Sequence, residues 1–173
     1  MDGVKKTLRI SVRIPEEIAD ALSSEAVEKK TNQDALLAQI LERYFGFEAN
    51  MSNAGLVSIP KPLLVKLMAE LPERKVIAFA EYISQDIITD MMAVLQTEYT
   101  VESFLRVIES WAMVSKIPFR RITKGSLNTC VLQHDLGKNW SVYLGHLFKN
   151  VIEEVAQKRV AINPTENTLK IMF

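Results

Sequence analysis

Apolar and polar side chains alternate strictly near the start of the chain. Between residues 7 and 14 every odd position is polar, and the even positions are Leu8, Ile10, Val12 and Ile14. A period of two places the apolar side chains on one face of a β-strand and the polar ones on the other. Because an isolated strand or ribbon is marginal in water, this strand needs a partner, and we expect a second copy of the chain to supply it.

Two helices are predicted after the strand. Pro15, followed by two glutamates, is typical of a helix start, and apolar residues then recur at helical spacing to about residue 28. A polar turn comes next, in which Asn32 or Thr31 can cap a second helix over residues 33–45. This second helix is too apolar for a small lone helix, so we expect it to be buried between subunits or under the rest of the chain.

Small and polar residues between positions 46 and 58 predict a boundary between domains at 1–48 and 56–173. In the second domain we expect three helices followed by a ββαββ unit, which makes the fold class α+β. The predicted helices cover residues 60–71, 72–96 and 100–116. The predicted unit has a hairpin over 118–123 and 127–134, a helix over 138–157, and a closing pair over 159–162 and 168–173.

The helix predicted at 72–96 carries more apolar residues than one contact needs. Its apolar residues cover one face of the helix and extend onto a second, which indicates a buried helix or a second protein interface. The first face has Val76, Phe79, Ala80, Ile83, Ile87, Met91 and Val94, and the second has Ile77, Ile88 and Met92.

The composition is that of a globular protein, with 173 residues of which 48% are hydrophobic. No apolar run is long enough to span a membrane, and the first residues are charged where a signal peptide would be apolar. We therefore expect a cytoplasmic protein without membrane partners. The single cysteine, Cys130, excludes an internal disulfide and fits a reducing compartment.

Charge is balanced overall but not locally. The chain has 21 basic and 21 acidic residues, so it is not a polycation that coats nucleic acid by bulk electrostatics. Lys5, Lys6, Arg9 and Arg13, however, lie in a stretch without any acidic side chain. On the polar face of the predicted strand, Ser11 lies between the two arginines. Such donors suit base edges in the DNA major groove, which is wide enough to admit a two-stranded ribbon.

The order of these pieces resembles the ribbon-helix-helix repressors, the family of Arc and MetJ. The resemblance covers a little over a quarter of the chain, and Lys30 occupies the turn position where many members have glycine. The residues that carry it are Leu8-Arg9-Ile10-Ser11-Val12-Arg13-Ile14-Pro15-Glu16-Glu17, Lys30-Thr31-Asn32-Gln33-Asp34, and Leu37, Leu41, Tyr44 and Phe45.

The resemblance implies an intertwined homodimer with an antiparallel ribbon in the major groove. Arg9, Ser11 and Arg13 then occupy the base-reading positions. Asn32 and Gln33 lie where a helix start holds a DNA phosphate. Lys5 and Lys6 can add contacts to the DNA backbone.

We accordingly expect a DNA-binding transcriptional regulator, a repressor, that forms a dimer and can pair into tetramers. The alternative is a dimeric interaction protein, antitoxin-like or a signalling adaptor, whose ribbon only dimerises and whose C-terminal domain binds a protein partner. In either case the C-terminal domain is expected to sense an effector or to mediate assembly. Its most characteristic segment, residues 130–141, loosely resembles a small α/β domain attached to archaeal regulators, which names no ligand.

Soft metal ligands are few. Cys130, His134 and His146 are candidates because the nickel-responsive branch of the ribbon-helix-helix family uses histidines and a cysteine. A core cysteine with polar histidines explains them more simply, so we predict neither a metal nor another cofactor. His134 and Asp135 could also suggest acid–base chemistry. No serine or second histidine nearby is expected to complete a nucleophile site, and Asp135 is predicted to cap the next helix, so we predict no enzyme.

Overall fold

The computed structural model describes residues 8–49, 57–94, 98–125 and 127–173. These residues form seven α-helices, two π-helical turns and a four-stranded antiparallel sheet, which confirms the α+β class. The helices are α1 (Glu16–Glu28), α2 (Gln33–Arg43), α3 (Lys61–Ala69), α4 (Glu73–Tyr82), α5 (Ile88–Val94), α6 (Val101–Val114) and α7 (Lys138–Ala156). The π-helical turns are Tyr44–Glu48 and Ile83–Ile87, and the strands are β1 (Phe119–Lys124), β2 (Leu127–Gln133), β3 (Ala161–Pro164) and β4 (Thr168–Met172).

The chain divides into two compact units, Met1–Arg43 and Tyr44–Phe173. Residues 50–56 of the predicted linker lie outside the described residues. None of the described helices has the length and apolar character needed to cross a membrane.

In the first unit, the turn between α1 and α2 is closed by local hydrogen bonds. Lys30 adopts the left-handed conformation with φ 53°, and the Thr31 N–H donates to the Ala26 carbonyl at 2.9 Å. This is the bond pattern with which a helix commonly ends, although a non-glycine residue pays some strain there. The Ala35 N–H donates to Asn32 Oδ1 at 2.8 Å, which confirms Asn32 as the cap of α2.

Of the strand predicted over residues 7–14, the described part, residues 8–14, does not form a strand in the single chain. Residues 8–15 have no regular secondary structure, and the side chains of Leu8, Ile10 and Val12 are 81%, 78% and 62% exposed. A strand takes its hydrogen bonds from a neighbouring strand, and all four described strands belong to the second unit. The ribbon therefore stays a prediction.

The sheet of the second unit has the order β1-β2-β4-β3, with every neighbouring pair antiparallel. The two predicted hairpins and the helix between them, α7, are confirmed. One face of the sheet packs on α7 through Cys130, Leu132, Leu169 and Ile171, all fully buried. Gly145 lets the helix approach closely, because a Cβ built there would lie 3.2 Å from Leu169 Cδ1.

The opposite face of the sheet is open and carries cations without carboxylates. Arg120 and Lys170 flank Val131 across the strands, and Lys124 lies at the end of β1. All three cations are exposed, and none forms an ion pair with a described residue. By contrast Arg121, which faces the helical side, is bound by Glu102 at 2.8 Å.

The long helix predicted at 72–96 forms as α4, a π-helical turn and α5 in direct succession. Five of its buried positions recur every four residues, namely Val76, Ala80, Ser84, Ile88 and Met92, and Met91 is buried beside them. In an α-helix a four-residue step overshoots one turn by about 40°, so such a stripe drifts around the axis. The wider π-helical turn absorbs part of that drift.

Buried residues come from both of the predicted apolar faces of this helix. Phe79 was placed on the first face but is 50% exposed, whereas Ile88 and Met92, which were placed on the second, are buried in the core.

Candidate functional site

The three proposed base-reading residues lie together in the extended segment before α1. Arg9, Ser11 and Arg13 are exposed, and neither arginine forms an ion pair with a described residue. Their guanidinium groups are thus available to an anionic or hydrogen-bonding partner.

The two side chains proposed to hold a phosphate at the start of α2 are already hydrogen-bonded within the protein. The side chain of Asn32 is occupied by the cap bond, and the amide of Gln33 donates to the hydroxyl of Ser23 on α1. Only the backbone N–H groups of this first turn remain to hold an anion, as at other helix starts. Asp34 in the same turn opposes that charge. Lys5 and Lys6 lie outside the described residues.

A second cluster of polar side chains surrounds His134, at the end of β2. His134 is 7% exposed, and its Nε2 lies 2.9 Å from the hydroxyl of Ser141, which is fully buried in the first turn of α7. Its Nδ1 accepts a hydrogen bond from the Leu136 N–H at 3.2 Å. No signal in the sequence indicates that Ser141 lies beside His134; a tight turn folds the start of α7 back onto the strand end and brings the two together.

The hydrogen bonds assign the tautomer of His134. Since Nδ1 accepts from a backbone N–H, the proton must be on Nε2, which then donates to Ser141. A histidine that activates a serine must instead accept the hydroxyl proton. Burial lowers the pKa of His134, which favours this neutral form. The geometry is that of a structural hydrogen bond.

Asp135 does not cap α7. Gly137, with φ 85°, is the N-cap, and Asp135 instead pairs with Lys61, which lowers the pKa of the carboxyl. Both side chains of this pair are mostly exposed. A surface ion pair of this kind links α3 to the turn before α7 and contributes little stability.

The three candidate metal ligands are not brought together. Within the described residues no group of three or more His, Cys, Asp or Glu side chains could hold a metal ion. Cys130 is fully buried in the core, where burial raises the pKa of its thiol to about 11. Both ring nitrogens of His134 are already bonded.

One large cavity lies beside His134. Its volume is about 790 Å³, and it opens between α3, the end of α6 and the turn from β2 to α7. Apolar and polar side chains both line it, among them Trp111, Trp140 and Lys116. No single residue type in the sequence marks this cavity, because its walls come from segments far apart along the chain.

No known protein family, curated protein or solved structure matches this chain. The function must accordingly be inferred from the residues themselves. Two sites offer side chains for binding: the extended segment with Arg9 and Arg13, and the cavity beside His134.

Proposed function

We propose that the protein is a DNA-binding transcriptional regulator of the ribbon-helix-helix type, a repressor that binds as a homodimer. In this proposal two copies of residues 7–14 pair as an antiparallel ribbon, and Arg9, Ser11 and Arg13 read base edges in the major groove.

The exposure of the apolar residues in the extended segment carries the proposal. Leu8, Ile10 and Val12 are each more than half exposed, an arrangement that costs free energy in water. Pairing two segments back to back on the helices would bury these side chains and leave the intervening arginines in solvent. The same pairing would satisfy the backbone groups of both segments.

The sparse core of the first unit also supports a dimer. Among its described residues, Ala26 and Leu36 are the only buried apolar side chains. Ile18, Val27 and Leu41 on the two helices are exposed. A unit of this size seldom folds on so small a core, and oligomerisation is one of the usual ways in which it gains buried area.

The turn geometry and local charge are compatible with this role. The left-handed Lys30 and the Asn32 cap place the start of α2 directly after α1, and its backbone N–H groups are suited to a phosphate. Phosphate contacts would fix the register of the ribbon, while the two arginines would discriminate bases by bidentate bonds to guanine. Repression would follow from occupation of a promoter.

The proposal is tested by selecting genomic fragments with the purified full chain and measuring affinity at several salt concentrations. We expect binding to weaken steeply as salt rises, because phosphate contacts release counterions. In the double variant Arg9→Ala/Arg13→Ala, each lost arginine should cost about 1–3 kcal/mol on the selected site.

The matched control is Arg120→Ala/Lys124→Ala, which removes the same charge from the open sheet face. It should bind the selected site as the wild type does. Equal binding by the wild type and the Arg9/Arg13 variant would contradict the proposal.

A second candidate function, a protein-interaction module, is favoured by exposed apolar side chains on α3 and α4. Leu67, Phe79 and Tyr82 are 54%, 50% and 56% exposed. An apolar interface with a protein would depend little on salt and would not require Arg9 or Arg13. The salt series and the double arginine variant therefore separate the two candidates.

A further inference from the structure

The cavity beside His134 has the size and lining of a small-molecule site. Its volume of about 790 Å³ falls within the range of ligand pockets in proteins. The chain has two tryptophans, Trp111 and Trp140, and both line this cavity. Leu64, Val114 and Ile117 add apolar surface to its walls. Such a lining suits a flat apolar body.

The charge of the lining selects an anion. Lys61 and Asp135 both line the cavity but neutralise each other as an ion pair. Lys116, at the end of α6, also lines it and has no carboxylate partner among the described residues. One uncompensated ammonium group beside an apolar cavity favours a ligand with a negative charge.

Trp140, one wall of the cavity, also has an unmet hydrogen-bond donor inside the protein. Its indole Nε1 is buried and has no hydrogen-bond partner, the one such side-chain atom in the described part of the chain. Buried donors in native proteins are nearly always satisfied by the protein, by water or by a ligand, and an unmet donor is costly. The neighbouring Tyr143 ring stacks on the indole at 5.1 Å and offers it no acceptor.

We propose that this cavity binds a small aromatic carboxylate, with its ring against Trp111 and Trp140 and its carboxylate at Lys116. If the ligand acts as an effector of DNA binding, that role rests on the proposed function. Binding itself does not, and it can be measured without DNA.

The test is an NMR titration of the full chain with naphthylacetate and, in parallel, with its neutral amide. The two indole N–H signals are assigned with Trp111→Phe and Trp140→Phe. We expect both signals to shift saturably with the acid, and the amide to bind about fivefold more weakly because it lacks the ion pair. Lys116→Gln should remove this preference, whereas Lys124→Gln, on the open sheet face, should keep it.

A matched pair of variants on α3 tests the location. Leu64 lines the cavity, whereas Leu63 is 49% exposed and does not. Leu64→Phe should weaken binding at least severalfold, and Leu63→Phe should leave it unchanged, with thermal unfolding confirming that both fold.

Unshifted indole signals, or acid and amide of equal affinity in the wild type, would overturn the proposal. So would a Leu64→Phe variant that folds and binds as well as the wild type. Because no DNA is present, failure here would leave the proposed function standing, and failure of the DNA assay would leave this site standing.

Discussion

At the scale of single residues, His134 shows how neighbours decide the role of a titratable group. The sequence shows a histidine next to an aspartate, which suggests acid–base chemistry. The fold instead turns Asp135 toward Lys61 and places Ser141 against the imidazole. Neither contact could be predicted from spacing, because both depend on the tight turn at Gly137. The positive φ of Gly137, by contrast, is a conformation that glycine adopts without strain, so a turn at this residue could be predicted.

The buried imidazole makes stability depend on pH. Burial lowers the pKa of His134 below the ordinary histidine value of 6.5, so the unfolded chain binds a proton more readily than the folded one. Stability should be complete above pH 6.5 and fall as the pH drops below it. We expect thermal unfolding at a lower temperature at pH 5.5 than at pH 7.5, and a smaller difference in His134→Gln.

His146 provides the control for that measurement. Burial also lowers its pKa, so part of the pH dependence should persist in His134→Gln and disappear in the double variant with His146→Gln. A wild-type protein equally stable at both pH values would contradict the assignment of His134 as a buried neutral group.

At the scale of elements, local signals predicted more than periodicity did. Prolines marked the starts of α1, α3 and α4, and all three helices begin directly after Pro15, Pro60 and Pro72. The buried side of the long helix could not be predicted from a 3.6-residue period, because the π-helical turn Ile83–Ile87 changes the phase between α4 and α5. That turn is stabilised by packing against α7, which is a tertiary effect.

Close packing of α7 on the sheet depends on a residue without a side chain. Gly145 faces Leu169 and Ile162 at distances that leave no room for a branched side chain. Gly145→Val should therefore cost about 1–3 kcal/mol of the free energy of unfolding through overpacking. Glu154→Val, at an exposed position of the same helix, introduces the same β-branched side chain without the clash and loses only the exposed hydrogen bond that Tyr99 donates to Glu154 at 3.3 Å. Equal stability of the two variants in urea unfolding would exclude a tight contact at Gly145.

At the scale of the whole molecule, the proposed dimer should depend on one side of the extended segment only. Val12→Asp places a charge among the apolar residues that a ribbon would bury, and we expect a monomer with reduced helix content. Ser11→Asp changes the adjacent polar position. It should leave the dimer intact and abolish DNA binding, since a carboxylate would enter the electronegative major groove between the two base-reading arginines. Sedimentation equilibrium and far-ultraviolet circular dichroism check both variants, and a dimeric Val12→Asp would contradict the ribbon.

The sequence predicted the second unit more fully than its cavity. Strand and helix periods specify the ββαββ order, because each element carries its own apolar pattern. The cavity arises where α3, α6 and the β2–α7 turn meet, and Leu64, Trp111 and Asn167 show no common pattern along the chain. The proposed ribbon lies between these two cases. Its apolar pattern is local and can be recognised in the sequence, but its strand hydrogen bonds would form only between two copies of the chain.

The open sheet face has a consequence for how the molecule behaves at a distance. The chain has no net charge, yet Arg120, Lys124 and Lys170 share a surface without carboxylates, so the acidic groups must outnumber the basic ones elsewhere. These three cations give the sheet face a local positive field. With screening over about 8 Å at physiological ionic strength, this field can orient the protein only in the last steps of an encounter.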